Sequence, residues 1–87
     1  VDRARVYSAG MSNGGYMSYI LAWRLPQKIA AVASVTGSMT PGVYAAYTPG
    51  RAVPVIQIHG TADGTVPYAG SANNIPIDTL MSFWARN

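Results

Sequence analysis

The residues with the clearest chemical potential are the five from Gly10 to Gly14, which read Gly-Met-Ser-Asn-Gly. A turn of this pattern between a strand and a helix holds its serine in a strained backbone conformation and presents the hydroxyl above the sheet edge. Larger side chains would collide at so sharp a turn, so we expect Gly10 and Gly14 to be required. The backbone N–H of Asn13 would point at a developing oxyanion. Ser12 is therefore predicted to be a nucleophile in acyl transfer.

A second polar segment, from His59 to Asp63, directly follows another apolar run. A carboxylate there could hold a histidine in the right tautomer beside the serine and stabilise it as a cation. The other acid after the turn, Asp78, falls inside a predicted helix, so Asp63 is the candidate acid. The alternative interpretation is an aspartate that only stabilises its own loop through an Asx turn.

The sequence contains one histidine, His59, and it has two interpretations. It is either a replacement general base or a structural residue that packs and hydrogen-bonds within its own loop. We call this loop, which begins at His59 and contains Asp63, the acid loop. Because it lies on the same loop as Asp63, reaching both Asp63 and Ser12 would require an unusual loop conformation. A metal site at His59 and Asp63 would need more ligands than the chain offers, so we expect no metal and no cofactor.

The elements that would position these residues follow from the apolar pattern. We predict strands over residues 5–9, 29–35 and 54–58, the second of them buried on both faces. Helices are predicted over residues 15–25 and from about residue 76, with one helical turn near 43–47 in a long loop over 36–52. The predicted core stripes are Tyr16, Met17, Ile20 and Leu21 in the first helix and Ile77, Leu80, Met81 and Trp84 in the last.

This order of elements indicates an α/β fold with parallel strands and right-handed crossovers. In such sheets, functional loops lie beyond the carboxyl ends of the strands. Ser12 and the loop from His59 to Asp63 both follow such ends, so the two motifs are expected at one edge of the sheet.

Composition places limits on the size and partners of this chain. Its 87 residues make one small domain at most, yet 49% are hydrophobic and only 10% charged, against about 25% charged in ordinary domains. We therefore expect a single, incomplete domain over residues 1–87, or a chain that buries much of its surface in an oligomer. It has no initiator methionine and no signal peptide, and we expect it to begin within a longer sequence. The scattered basic residues predict no nucleic-acid partner, and no apolar run is long enough to predict a membrane partner.

Four segments carry a resemblance to a known family: residues 1–7 leading into Gly-Met-Ser-Asn-Gly-Gly, then residues 54–55, 59–63 and 66–68. Together they resemble the poly(3-hydroxybutyrate) depolymerase and feruloyl/acetylxylan esterase group of serine esterases. The resemblance implies a partial α/β-hydrolase fold of about three parallel strands with flanking helices. It also implies Ser12 as nucleophile, Asp63 as acid, the Asn13 N–H as an oxyanion donor, and a small-molecule or polymeric ester as substrate. Members are typically secreted, which implies an extracellular location.

The chain departs from this family in two segments. The usual catalytic histidine, in a Gly-His-x-Trp-Pro-like segment further on, has no counterpart here, and neither does the upstream His-Gly loop that carries the other oxyanion donor. The family also has a histidine at the position of His59 in addition to the catalytic one, which favours the structural interpretation of His59.

The function predicted from the sequence is carboxylic-ester hydrolysis through an acyl-Ser12 intermediate, with weak turnover because the usual histidine segment is absent. The alternative is an inactive fragment, or one that is active only when complemented by other segments. A serine peptidase or acyltransferase built on the same turn is a further alternative. Absent early strands would expose an apolar sheet edge, so we expect a homodimer, a higher oligomer or a swapped assembly.

Overall fold

A single parallel sheet organises the chain, whose computed structural model describes residues 2–48 and 50–86. The strands are β1 (Tyr7–Met11), β2 (Ala31–Val35) and β3 (Val55–Ile58), and the helices are α1 (Asn13–Arg24), α2 (Pro41–Ala46) and α3 (Ile77–Arg86). Both pairings between these strands are parallel, and the sheet order is β1-β2-β3. This confirms the predicted α/β architecture of three parallel strands with flanking helices. Val1 and Pro49, within the predicted domain and long loop, and Asn87 lie outside the described residues.

The core lies on one face of this sheet. Val32 of β2 is buried there together with Tyr19 of α1 and with Leu80 and Trp84 of α3. The opposite face carries large apolar side chains that remain exposed: Tyr7, Met11, Ile56 and Ile58. The prediction that the second strand is buried on both faces is wrong, because the core of the described chain covers one face only and burial alternates along β2.

The inward face of α1 consists mostly of small residues. Its buried positions are Gly15, Ser18, Tyr19 and Ala22. The predicted core stripe is therefore wrong for three of its four residues: Met17 is 53% exposed, and Tyr16 and Ile20 are half-buried outside the core. Leu21, also half-buried, does pack against the core. The physical reason is a close approach of backbones, since a Cβ at Gly15 would lie 2.9 Å from the Cα of Gly37. Small residues let the helix approach the sheet, and hydrophobic periodicity does not detect them.

Helix α3 follows its predicted pattern. Ile77, Leu80 and Trp84 are buried and Met81 is half-buried. The Trp84 ring stacks on Tyr19 with the ring centroids 5.5 Å apart. This contact joins α3 to α1, the helix that begins next to Ser12.

Other boundaries differ from prediction by a few residues. Strand β1 runs to Met11, into the predicted turn, and α1 begins at Asn13. Helix α2 begins earlier than the predicted turn because Pro41 occupies its first position and the Thr40 side chain accepts a hydrogen bond from the Val43 N–H. A threonine cap followed by proline is a local start signal, and it outweighs the apolar residues that follow.

Candidate active site

Ser12 occupies the junction between β1 and α1 in a strained conformation. Its φ is 53° and its ψ is −112°, in the region that residues with a side chain rarely adopt. Its N–H donates to the Val35 carbonyl at 2.8 Å, and its own carbonyl accepts from the Tyr16 N–H at 3.0 Å. The strain is therefore held in place by hydrogen bonds to both the sheet and the helix. This is the strand–turn–helix context in which a Gly-x-Ser-x-Gly serine is exposed.

The two glycines of the turn have different steric requirements. A Cβ at Gly10 would overlap the backbone of Gly14, whereas a Cβ at Gly14 would meet no heavy atom within 4 Å. The expectation that no side chain fits at Gly14 is thus wrong, because this residue faces open space in the first turn of α1. Gly10 is required, as expected, because it passes directly against the helix backbone.

A cleft of about 400 Å³ joins the serine to the acid loop. It is lined by Ser12, Asn13, Tyr16, Thr40, Thr65, Val66 and Asn73. Asn13 is the first residue of α1, and the first N–H groups of a helix have no intrahelical acceptor. A larger cavity, of about 580 Å³, lies beside Leu25 and Lys28. None of the candidate catalytic residues Ser12, His59 and Asp63 lines it.

Asp63 stabilises its own loop with one carboxylate oxygen. Its Oδ1 accepts from the N–H groups of Thr65 and Val66, at 2.8 and 2.9 Å. These bonds, with a smaller contribution from His59, hold the pKa of Asp63 below its ordinary value, so the carboxylate is ionised at neutral pH. The Asx-turn interpretation thus describes Oδ1. Oδ2 accepts no hydrogen bond among the described residues and lies 3.7 Å from His59 Nε2, so it is available to an incoming imidazole.

His59 is engaged through both ring nitrogens. Its side chain is 1% exposed. Nδ1 lies 2.9 Å from Gln57 Nε2, and Nε2 lies 2.7 Å from the Val66 carbonyl. His59 also does not line the cleft that contains Ser12. This geometry supports the structural interpretation of His59 over the replacement base, because proton transfer from Ser12 would require both hydrogen bonds to rearrange.

Tyr16 is a cleft residue that sequence reasoning assigned to the core. Burial and, secondarily, the negative charge of Asp63 raise its pKa, so its hydroxyl and the acid are electrostatically coupled. The missed signal was its spacing, since residues four apart on a helix share a face and Tyr16 is four residues after Ser12.

Neither a metal site nor a spanning helix is found in the part of the chain that the structure describes. No group of three or more histidine, aspartate or glutamate side chains there could hold a metal ion, and the sequence has no cysteine. Within residues 2–48 and 50–86, every helix is too short or too polar to cross a membrane.

Comparison with known proteins gives a consistent result. The family model for phospholipase/carboxylesterase matches residues 1–83. NocK of Nocardia uniformis subsp. tsuyamanensis, which its name proposes to be an esterase, is 40% identical over 79 residues, covering 91% of this chain and 22% of that protein. A bifunctional acetylxylan esterase/xylanase of Neocallimastix patriciarum is 38% identical over 68 residues, covering 78% of this chain and 10% of its own. Feruloyl esterase B of Piromyces equi is 32% identical over 77 residues, covering 86% of this chain and 14% of its own. No solved structure matches at a significant level.

The parallel sheet and its strained serine, taken with these matches, define a partial α/β-hydrolase fold. The chain belongs to the phospholipase/carboxylesterase family, whose model covers nearly all of it. It spans between 10% and 22% of the length of the three relatives. The resemblance to feruloyl and acetylxylan esterases is confirmed, and the resemblance to poly(3-hydroxybutyrate) depolymerases stays a prediction.

Proposed function

We propose that this chain carries the nucleophile and the acid of a carboxylic-ester hydrolase that acts through an acyl-Ser12 intermediate. The observation that carries the proposal is the shared cleft: Ser12, strained at the end of β1, faces the same cavity as Thr65 and Val66. Those two residues hold the Asp63 carboxylate through their N–H groups. Ser12 and the loop that holds Asp63 thus adjoin one cleft from separate elements, which supports their assignment as nucleophile and acid.

The reaction follows from these positions. Ser12 Oγ attacks the ester carbonyl carbon and its proton passes to a base. The oxyanion that forms accepts a hydrogen bond from the Asn13 N–H. The tetrahedral intermediate collapses by expelling the alcohol, which takes up the proton, and water then hydrolyses the acyl-Ser12 ester by the same steps. Asp63 Oδ2 would orient an imidazole and stabilise it as a cation. Because both ring nitrogens of His59 already have hydrogen-bond partners, the base is solvent or an imidazole other than His59. We therefore expect slow turnover.

The substrate class is proposed from the cleft and the relatives. About 400 Å³ lies toward the lower end of ligand-pocket volumes, which suits a short acyl group or one aromatic acyl group. Relatives named for acetylxylan and feruloyl esters favour acetyl and feruloyl esters, and hydroxyalkanoate esters are a further class. An extracellular location is part of the same proposal.

The decisive experiment measures hydrolysis of p-nitrophenyl acetate and butyrate by the wild type, Ser12→Ala and a control, Ser82→Ala. Ser82 is an exposed serine of α3, so its substitution matches the chemical change at a site remote from the cleft. We expect the wild type and Ser82→Ala to exceed the buffer rate equally and Ser12→Ala to fall to it. Equal rates for all three proteins would overturn the proposal.

A fragment that needs complementation is the second candidate, and the engaged ring of His59 favours it. Free imidazole added to the wild type and to Ser12→Ala separates the two candidates. Because imidazole also hydrolyses p-nitrophenyl esters without protein, a rate that rises more steeply with imidazole in the wild type than in Ser12→Ala identifies the missing base. A p-nitroanilide or an acceptor alcohol in the same assay tests the peptidase and acyltransferase alternatives, which use the same serine.

A further inference from the structure

A partly buried hydrogen-bond chain begins on α1, the helix next to the proposed nucleophile. The hydroxyl of Tyr19, a fully buried side chain, donates to Gln57 Oε1 on β3. Gln57 Nε2 donates to the Gly37 carbonyl at 2.7 Å and lies 2.9 Å from His59 Nδ1. One amide side chain thus connects the helix, the loop after β2 and the histidine.

The hydrogen-bond chain continues into the acid loop. His59 Nε2 lies 2.7 Å from the Val66 carbonyl. The N–H of the same residue, Val66, donates to Asp63 Oδ1 at 2.9 Å. The contacts that start at Tyr19 therefore end at the Asp63 carboxylate. Successive residues along this path are joined by hydrogen bonds.

The direction of this chain is fixed by its two backbone carbonyls. The carbonyl of Gly37 can only accept, so the Gln57 atom facing it must be the amide nitrogen, and Gln57 Oε1 must face the Tyr19 hydroxyl. The second amide hydrogen then points at His59 Nδ1, which has to accept. Independently, the carbonyl of Val66 requires a proton on His59 Nε2. Both ends of the chain demand the same neutral tautomer.

We propose that Tyr19 and Gln57 are positioning residues of the acid loop, which act by holding His59 as the Nε2–H tautomer. In this form His59 donates to the Val66 carbonyl and so holds the residue whose own N–H, in the preceding peptide, orients Asp63. The benefit to catalysis rests on the proposed function, whereas the tautomer and the loop order rest on the contacts alone. Because Tyr19 and Ser12 adjoin the same helix, the chain also ties the position of the acid to that of the nucleophile.

Partial burial raises the cost of losing a link of this hydrogen-bond chain. A buried polar group left without its partner is penalised more than an exposed one, and connected bonds reinforce one another. Burial also raises the pKa of the Tyr19 hydroxyl, which keeps it a donor at neutral pH. A Val66 carbonyl without the hydrogen bond from His59 would hold the acid loop less firmly.

The test uses Gln57→Glu, which keeps the shape of the side chain and removes both amide donors. Long-range ¹H–¹⁵N spectra report the protonation of the two ring nitrogens, and the single histidine of the sequence makes the signals unambiguous. We expect the Nε2–H tautomer in the wild type. In Gln57→Glu the carboxylate can only accept, so we expect Nδ1 to gain a proton at neutral pH. Gln27→Glu, at an exposed position, makes the same charge change and should leave the ring unchanged.

A second variant keeps the proposal testable if Gln57→Glu does not fold. Tyr19→Phe removes the terminal donor and retains the ring that stacks on Trp84. We expect the Val66 amide hydrogen to exchange about fivefold faster, as losing about 1 kcal/mol of hydrogen bonding would produce. A wild-type ring protonated at Nδ1, an unchanged ring in Gln57→Glu, or unchanged Val66 exchange in Tyr19→Phe would each overturn the proposal. None of these measurements needs turnover, so an inactive chain leaves the test intact.

Discussion

The two carboxylate oxygens of Asp63 have different surroundings. Oδ1 is saturated by the N–H groups of Thr65 and Val66, whereas Oδ2 faces His59 at a distance too long for a hydrogen bond. Because the two hydrogen bonds to Oδ1 form in the folded loop, the pKa of Asp63 depends on folding.

The lowered pKa of Asp63 predicts a specific dependence of stability on pH. Because its folded-state pKa lies below the unfolded value of about 3.9, ionised Asp63 stabilises the fold above that value, and the contribution is lost as pH falls through the folded pKa. The free energy of unfolding of the wild type should therefore exceed that of Asp63→Asn at neutral pH, and the difference should shrink in acid. Urea unfolding at a series of pH values measures it. A difference that stays constant into acid would contradict this prediction.

Gly10 and Gly14 provide a matched pair of substitutions. Gly10→Ala should lower the free energy of unfolding by about 1–3 kcal/mol or more, as overpacking does, because the new Cβ meets the Gly14 backbone. Gly14→Ala should be neutral, or stabilising by up to about 1 kcal/mol, because its Cβ enters open space in a helix. Urea unfolding of both variants checks the contrast. Equal losses would show that the turn has no room at either position.

At the scale of elements, apolar patterns predicted the strands and α3 but not the inward face of α1. The buried side chains of α3 are large and apolar, so the stripe of Ile77, Leu80 and Trp84 was visible in the sequence. In α1 the buried face is mostly Gly15, Ser18 and Ala22, which hydrophobicity alone does not distinguish from surface. Ser12 and Asp63 were proposed from their motifs, whereas Gln57 was not, because its contacts are with residues distant in sequence.

The difference between the two helices can be tested by truncating one side chain on each. Leu80→Ala should cost about 2–5 kcal/mol of unfolding free energy, since Leu80 is fully buried in the core. Met17→Ala, on the predicted stripe that the structure exposes, should change it by less than about 0.5 kcal/mol. Thermal or urea denaturation measures both. A large loss at Met17 would mean that another surface covers this side of α1 in solution.

At the scale of the whole molecule, the sheet presents an uncharged apolar face. Four large side chains from two strands are exposed on it: Tyr7 and Met11 of β1 and Ile56 and Ile58 of β3. Among the described strands, β1 and β3 also have free edges. Contiguous apolar surface of this kind marks an interaction site or an aggregation hazard.

We therefore expect the isolated chain to self-associate. Light scattering and sedimentation velocity should give a mass above that of one chain, rising with concentration. Replacing Ile56 and Ile58 by threonine, which retains β-branching, should shift the mass toward the monomer, whereas Thr79→Ser on the exposed side of α3 should not. A monodisperse monomer at all concentrations would contradict this expectation.

The parallel strand order also has a kinetic consequence for Ser12. Each strand pairing joins residues far apart in the chain, such as Tyr7 with Ala31 and Val32 with Val55, and no hairpin can bring the strands together early. Closing such loops costs entropy before any contact rewards it, so folds dominated by distant pairings form more slowly than helical ones. The hydrogen bond from the Ser12 N–H to Val35 can form only when β1 meets β2. The strained conformation of Ser12 is thus acquired when the sheet assembles, late relative to helix formation, and a nascent chain carries the motif before it carries this conformation.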